Sequence, residues 1–482
     1  MKITITICSI ILLNSLIFCH YTAIKTQRHL LKENSNLSSF LINVTFSLNE
    51  TNKTNTKPNE TKKNLQHEKK ENHPVFTMIK LYNFKDVQYS GDIYVGTPYT
   101  KYSVIYDTGS NLFWLPSVNC TLKCRNDTKR YNPNLSSSSK NLHIKKNISY
   151  AKGYIKGRLY KDKVALNKKS SLSFLYNREL SVDDFKILAA YKEKYLYRTI
   201  FDGIVGLGIN DEGDINNSLI RLLYYQNKIS SPSFSFYLLS NKENTQNNIS
   251  RLYIGDILEN EYINNLFKNN TKYCYLPKNS EYWQCEAQTI KFELKDNNSS
   301  NNTNGKSKII NSKSGVIFDT GTSYTIIPKK DSAYIMEYFN TTLKKKCFIT
   351  KFHQIICQCN SPKEFGSIKL HFDEENYYEI KFEDLINYNE SFRLKCHFEM
   401  LVDKIDFGIW VIGDSSLSSS LVTFNMNEKK ISFVQNINKL IDDNKIAKSI
   451  LINQSWMSSS MVWIISFGVI LVVIVGIIYI FK

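Results

Sequence analysis

The chain is dominated by short runs of Ile, Val, Tyr and Phe broken by Gly, Asn and Ser, as in "GDIYVGTPYTKYSVIYDTGS" from Gly91 and "RLYIGDI" from Arg251. Such runs bounded by turn residues predict β-strands, and long amphipathic helices are scarce. Two stretches differ from this rhythm. Met1 to Cys19 has one lysine followed by an apolar core too short to span a bilayer comfortably, the pattern of a secretory signal peptide. Met461 to Phe481 is apolar apart from one serine and is long enough to cross about 30 Å of hydrocarbon as a helix. A glycolipid-anchor signal is the rival reading of that tail, because small residues precede it from Asn453 to Ser460, but the polar spacer is poor. Asn49 to Asn72 and Asp296 to Ser314 are rich in Asn, Lys, Ser and Thr and cannot bury enough apolar area to fold alone. They read as a linker and a surface insertion.

One run carries an anomaly. "VIYDTGSNLFWLP", Val104 to Pro116, sets the carboxyl of Asp107 among apolar and aromatic residues, where a lone charge costs several kcal/mol or more unless compensated. "GVIFDTGTSYTIIP", Gly315 to Pro328, repeats the arrangement around Asp319. Each loop is followed much later by an apolar pair and a glycine, "IVGLG" at Ile204 to Gly208 and "VIGD" at Val411 to Asp414. Two similar β-rich lobes, each supplying one aspartate to a shared site, account for both loops in one chain. A length of 482 residues fits two such domains plus accessory segments.

The cysteines fit a secreted body. Of ten, Cys8 and Cys19 leave with the signal, and the remaining eight are an even number for an oxidising lumen. Cys120 and Cys124 are close enough for a tight loop, and Cys274 and Cys285 flank the two sides of a possible hairpin. Cys347, Cys357, Cys359 and Cys396 supply two more bonds, with Cys396 joined to Cys357 or Cys359 and Cys347 to the one left over. Zinc on "CQC" with His353 and His397 is the weaker reading, since oxidised pairs use every cysteine, and no metal or other cofactor is expected. The net charge of +18 is scattered through Asn-rich tracts rather than gathered on one element, so nucleic acid is not the expected partner. Sequons occur at Asn119, Asn147, Asn340 and Asn389, in a chain so rich in Asn that chance alone generates them.

With these residues in place, the chain resembles the pepsin-like aspartic endopeptidases of the cathepsin D and plasmepsin type. "DTGSNLFWLPSVNC" and "DTGTSYTIIP" resemble that family's active-site loops, "ISYAKGYIKG" its flap, and "FDGIVGLG" and "WVIGD" the segments crossing behind each loop. Leu81 to Pro98 resembles the start of a mature enzyme, and Ile24 to Leu41 the inhibitory propeptide. The resemblance implies a mostly all-β, bilobal fold with the cleft between lobes, followed by one transmembrane helix. The expected segments are a signal peptide at 1–19, propeptide and linker at 20–76, lobes at 77–258 and 259–435, a stalk at 436–460 and a span at 461–481.

The same resemblance makes Asp107 and Asp319 the catalytic pair of a peptidase acting on protein or peptide substrates, made as a monomeric zymogen. It would be anchored in a secretory-pathway membrane with its body lumenal or extracellular. Ser110 and Thr322 are placed to hydrogen-bond the carboxylates, Thr108 and Thr320 to lock the opposing loops, and Gly109 and Gly321 to permit close backbone approach. Tyr150, with Gly153 at the same turn, is the flap tyrosine, and Trp114 is expected to reach its hydroxyl. Asp202 and Asp414 lie beside the crossing segments and read as structural. Lys80, Lys32 and Arg28 are candidates to neutralise the pair in the zymogen. The flap departs from the family at Ala151 and Lys152, where glycine and small hydroxyl residues are usual; Lys152 would bring a positive charge to the cleft mouth or stand as ordinary surface. A tethered peptide-binding protein that has lost catalysis is the alternative function, and the intact aspartates, glycines and flap tyrosine argue against it.

Overall fold

A computed structural model of the chain describes residues 76–437, apart from 122–123, 125–127, 151–152, 168–178, 195–200, 210–212, 241–248, 294–307, 311–312, 389–395, 406 and 436, together with Lys445. The expected signal peptide, nearly all of the propeptide and linker with Arg28 and Lys32, the span at 461–481, and the stalk except Ile437 and Lys445 lie outside the described residues. So do Ala151 and Lys152 of the flap. No described helix is long and apolar enough to cross a membrane.

The described chain is mostly strand, arranged in sheets of thirteen, eight and four strands. Its longest described α-helix, Lys329–Glu337, has nine residues. The strands follow from composition: Val, Ile, Tyr and Phe pack well on a pleated surface, and alternate residues face opposite sides. Where both faces are covered, alternation gives way to continuous burial, as in Ser233–Leu238, Ser250–Gly255 and Ser420–Asn425, buried at every position.

Those three strands form the platform that joins the two halves of the chain. Ser420–Asn425 pairs antiparallel with Ser233–Leu238, which pairs in turn with Ser250–Gly255, and that strand with Phe76–Phe84. Lys430–Gln435 and Lys272–Tyr275 extend the platform on the far side. Phe234 stacks on Phe424 at 5.0 Å between ring centroids, and the Trp283 ring meets Phe424 at 5.1 Å. A hydroxyl pair, Ser235 Oγ and Thr423 Oγ1 at 2.8 Å, satisfies the buried polar atoms of adjoining strands.

Above this platform each half builds the same local device. In the first, Thr100–Asp107 runs parallel to Gly203–Gly206, while Phe113–Pro116 touches that crossing strand from its other side at Trp114 and Ile204. In the second, Ser314–Phe318 runs parallel to Ile409–Ile412, and Thr325–Ile327 meets the same strand at Ile326 and Val411. Each Asp-Thr-Gly loop is therefore held between two strands of its own lobe and a third that returns from far along the chain.

All eight described cysteines are paired: Cys120 with Cys124, Cys274 with Cys285, Cys347 with Cys357 and Cys359 with Cys396. Register resolves the choice that spacing leaves open. Cys347 lies directly opposite Cys357 in the hairpin formed by Cys347–Ile349 and Gln354–Cys357, which leaves Cys359, just beyond that strand, to reach Cys396.

Candidate active site

Asp107 ends the strand Thr100–Asp107 and Asp319 directly follows Ser314–Phe318, strands whose apolar residues fix them in the core, so the carboxyls emerge where the two devices face one another. Thr108 Oγ1 donates to the Phe318 carbonyl at 2.7 Å and accepts from Thr320 N at 3.0 Å. Thr320 Oγ1 donates to the Tyr106 carbonyl at 2.6 Å and accepts from Thr108 N at 3.1 Å. Both threonines are buried, so four reciprocal bonds in a dry environment lock one loop to the other.

The glycines that follow have a steric reason to be glycine. A Cβ on Gly109 would sit 2.6 Å from the Asp319 carboxyl, and one on Gly321 would sit 2.1 Å from Asp107 Oδ1. Neither side chain could retreat without leaving its hydrogen bonds. Gly109 N and Gly321 N each donate to Oδ1 of the aspartate two residues earlier, at 2.8 Å in both loops. Ser110 Oγ donates to Asp107 Oδ2 at 2.5 Å, and Thr322 Oγ1 to Asp319 Oδ2 at 2.7 Å. Each carboxyl is thus fixed by one backbone and one hydroxyl donor from its own loop.

Despite that symmetry the two carboxyls differ. Asp107 is buried at 5 % exposure while Asp319 is partly exposed. Burial and the nearby charge of Asp319 raise the Asp107 pKa far above the carboxylate range, against the opposing pull of the Ser110 and Gly109 bonds. The pair therefore holds a proton well above the pH at which an isolated carboxyl would lose it.

Tyr150 ends the strand Lys140–Tyr150 at the hairpin turn opposite Gly153, and packs with Trp114 on the cluster of Ile105, Ile155 and Leu188. Its hydroxyl is buried near Asp107, Ser110 and Trp114, and burial raises its pKa well above the ordinary phenol value. Ser110 and Trp114 lie close enough to that hydroxyl to oppose the rise, yet the expected bond from Trp114 is not completed: neither Tyr150 Oη nor Trp114 Nε1 has a fully formed hydrogen bond among the described residues. Lys80 stands exposed on Phe76–Phe84 and makes no ion pair with a described residue.

The two aspartates beside the crossing segments differ from each other. Asp202 is a bracket, accepting from Ser103 N and Lys129 N at 2.9 Å each. Asp414 is 2 % exposed, has one carboxyl oxygen without a hydrogen-bond partner, and feels the charges of Asp319 and Asp107. Burial and those two charges push its pKa well up, so this carboxyl behind the pair resists ionisation. Sequence reasoning missed Trp283, whose Nε1 donates to the Leu207 carbonyl at 2.8 Å and pins the crossing segment of the opposite lobe. No local motif marks it.

The paired loops, reciprocal threonines, flap tyrosine and two-lobed β architecture define a bilobal aspartic protease. Comparisons with known proteins agree, and the chain belongs to the eukaryotic aspartyl protease family, whose sequence model matches residues 88–436. It is similar to pregnancy-associated glycoprotein 2 of Sus scrofa, 27% identical over 382 residues that cover 78% of each chain. Pepsin A of Suncus murinus is 24% identical over 353 residues, covering 73% of this chain and 81% of its own. Pepsin A of Bos taurus is 29% identical over 266 residues, covering 54% of this chain and 63% of its own.

Proposed function

We propose that the protein is an aspartic endopeptidase of the cathepsin D and plasmepsin type, made as a membrane-anchored zymogen of the secretory pathway, with Asp107 and Asp319 as its catalytic pair. The observation that carries the catalytic reading is the reciprocal arrangement of the two carboxyls: each is fixed by donors of its own loop and crowds the other loop's glycine. Two carboxyls so placed share one proton, as is known for aspartic proteases generally. The charged member removes a proton from water as that water attacks the scissile carbonyl. The neutral member gives its proton to the carbonyl oxygen, and a tetrahedral diol forms without a covalent adduct. On collapse the neutral carboxyl gives its proton to the departing amine as the C–N bond breaks, and the charged carboxyl takes a proton from a diol hydroxyl, so the pair ends with the single proton it began with. Which oxygen carries that proton is a property of the pair.

Support for the anchor and the zymogen comes from the sequence: the apolar stretch from Met461 to Phe481, the leader from Met1 to Cys19, and the propeptide-like Ile24 to Leu41. The test is peptide hydrolysis by the purified chain at acid and neutral pH, with and without a pepstatin-type inhibitor whose hydroxyl replaces the attacking water. Acid-dependent, inhibitor-sensitive cleavage lost in Asp107→Asn is the expected result. A folded wild-type protein that binds peptides but never cleaves them would establish the tethered binding protein instead.

A further inference from the structure

The hairpin that carries Tyr150 has a second face. Residues alternate across a strand, so Ile155, Leu159 and Leu188 pack with Tyr150 and Trp114 on one side, while Arg158, Tyr160 and Tyr191 project from the other. There they line a pocket of about 310 Å³, closed at its edge by Ser117 and Asn119 from the segment after Phe113–Pro116. Lys145 joins the lining, with Pro133 and Ala189, and sits directly opposite Arg158 in the antiparallel register.

Like charges directly opposite each other on neighbouring strands are destabilising. Neither Lys145 nor Arg158 makes an ion pair with a described residue that would offset this repulsion. Glu193 lies on the same strand as Tyr191, but it is buried within 4.8 Å of the Cys120 and Cys124 sulfurs and already has a partner. Two exposed cations therefore line one pocket together with Tyr160, Tyr191, Ser117 and Asn119. Two close positive charges with nearby neutral donors suit a multiply charged oxyanion.

We propose that this pocket is an anion-binding site that takes the acidic side chains of a peptide segment, on the face of the flap sheet opposite Tyr150. Carboxylates and phosphoserine share that chemistry, and the two cations would hold either. The site is independent of the aspartate pair, so it stands whether or not the protein cleaves what it holds. Because its two cations lie on the strands that continue to Tyr150 and Gly153, a bound segment rests on the flap's own framework.

The test is fluorescence anisotropy at neutral pH with labelled oligoglutamate and phosphoserine peptides, and with inorganic phosphate as competitor. All proteins carry Thr121→Ala and Ser149→Ala, which remove the sequons at Asn119 and Asn147 while keeping both asparagines, so that no sugar fills the rim. Lys145→Glu with Arg158→Glu should weaken peptide binding about tenfold or more, as should Lys145→Glu alone, which sets a carboxylate opposite Arg158 and removes the repulsion rather than the fold. Lys351→Glu with Lys404→Glu changes the net charge equally on the other lobe and should leave binding within about twofold. Tighter binding of one peptide class identifies the source of the anion. The proposal is overturned if neither peptide binds, if only inorganic phosphate binds, if the control pair loses as much affinity, or if a pepstatin-type inhibitor displaces the peptide.

Discussion

The two Asp-Thr-Gly loops share backbone, donors and glycines, yet their surroundings set them apart. The first lies beneath Tyr150 and Trp114, and its crossing segment continues as Leu207, held from across the molecule by Trp283. The second contributes nothing to that aromatic cluster among the described residues, and its crossing strand continues into Asp414, a buried carboxyl with an unsatisfied oxygen. Local symmetry gives two equivalent ligands for one proton, and the unequal shells make Asp107 the deeper of the two. Burial and the neighbouring charge together disfavour ionisation of Asp107, while the proton itself remains a property of the pair.

The largest effect should come from removing either carboxyl. Asp107→Asn and Asp319→Asn keep the volume but cannot share the proton, and each should lower kcat by roughly 10³-fold or more with the fold intact by circular dichroism. Near-wild-type turnover in either folded variant would break the pairing. Next come the glycines: Gly109→Ala displaces Asp319, and Gly321→Ala displaces Asp107, each from the opposite loop. Both should cut kcat by roughly 10²-fold, because about 1 Å of misplacement is enough. If only the residue's own loop were perturbed, crystal structures of the variants would show the opposite aspartate unmoved.

A smaller effect is expected at the threonines. Thr108→Val and Thr320→Val each remove an interlocking hydroxyl and should destabilise by about 1–3 kcal/mol in denaturant melts. The double variant should depart from the sum of the singles, since the two hydroxyls meet at 3.5 Å and hold the same junction between the loops. Strict additivity would mean the loops are not coupled through these groups.

The smallest and most diagnostic effect concerns pH. Asp107 and Asp414 have folded pKa values raised above those of the unfolded chain, so between the two values the native state keeps protons that the unfolded state releases. Their contribution to stability is full below about pH 4 and is lost as pH rises through the folded values. Tm should fall from acid towards neutral pH, and Asp414→Asn should make that slope shallower and raise Tm at pH 7. An unchanged slope would remove Asp414 from the proton-holding set.

Much of this site was legible because it is written locally. The apolar settings of Asp107 and Asp319, the donors two and three residues on, and the glycines all follow from a few adjacent residues repeated twice. The assignment of Asp202 to structure fits its two backbone donors. Less was readable where partners are distant. Nothing near Trp283 announces that its indole will meet Leu207, and the expected Trp114 bond to Tyr150 is incomplete. The choice between Cys357 and Cys359 waited on strand register, which spacing does not encode.

The sequence by itself determined the β-rich pattern, the two loops and their crossing segments, and the chemistry two facing carboxyls can perform, because each rests on residue type and short-range spacing. Only the tertiary structure decided that Thr108 bonds Phe318 across 210 positions, that Asp107 lies deeper than Asp319, and that Lys145 faces Arg158 over an aromatic pocket. Burial, register and charge proximity arise when distant segments pack against each other. They belong to the pairing of surfaces, and no run of neighbouring residues contains them.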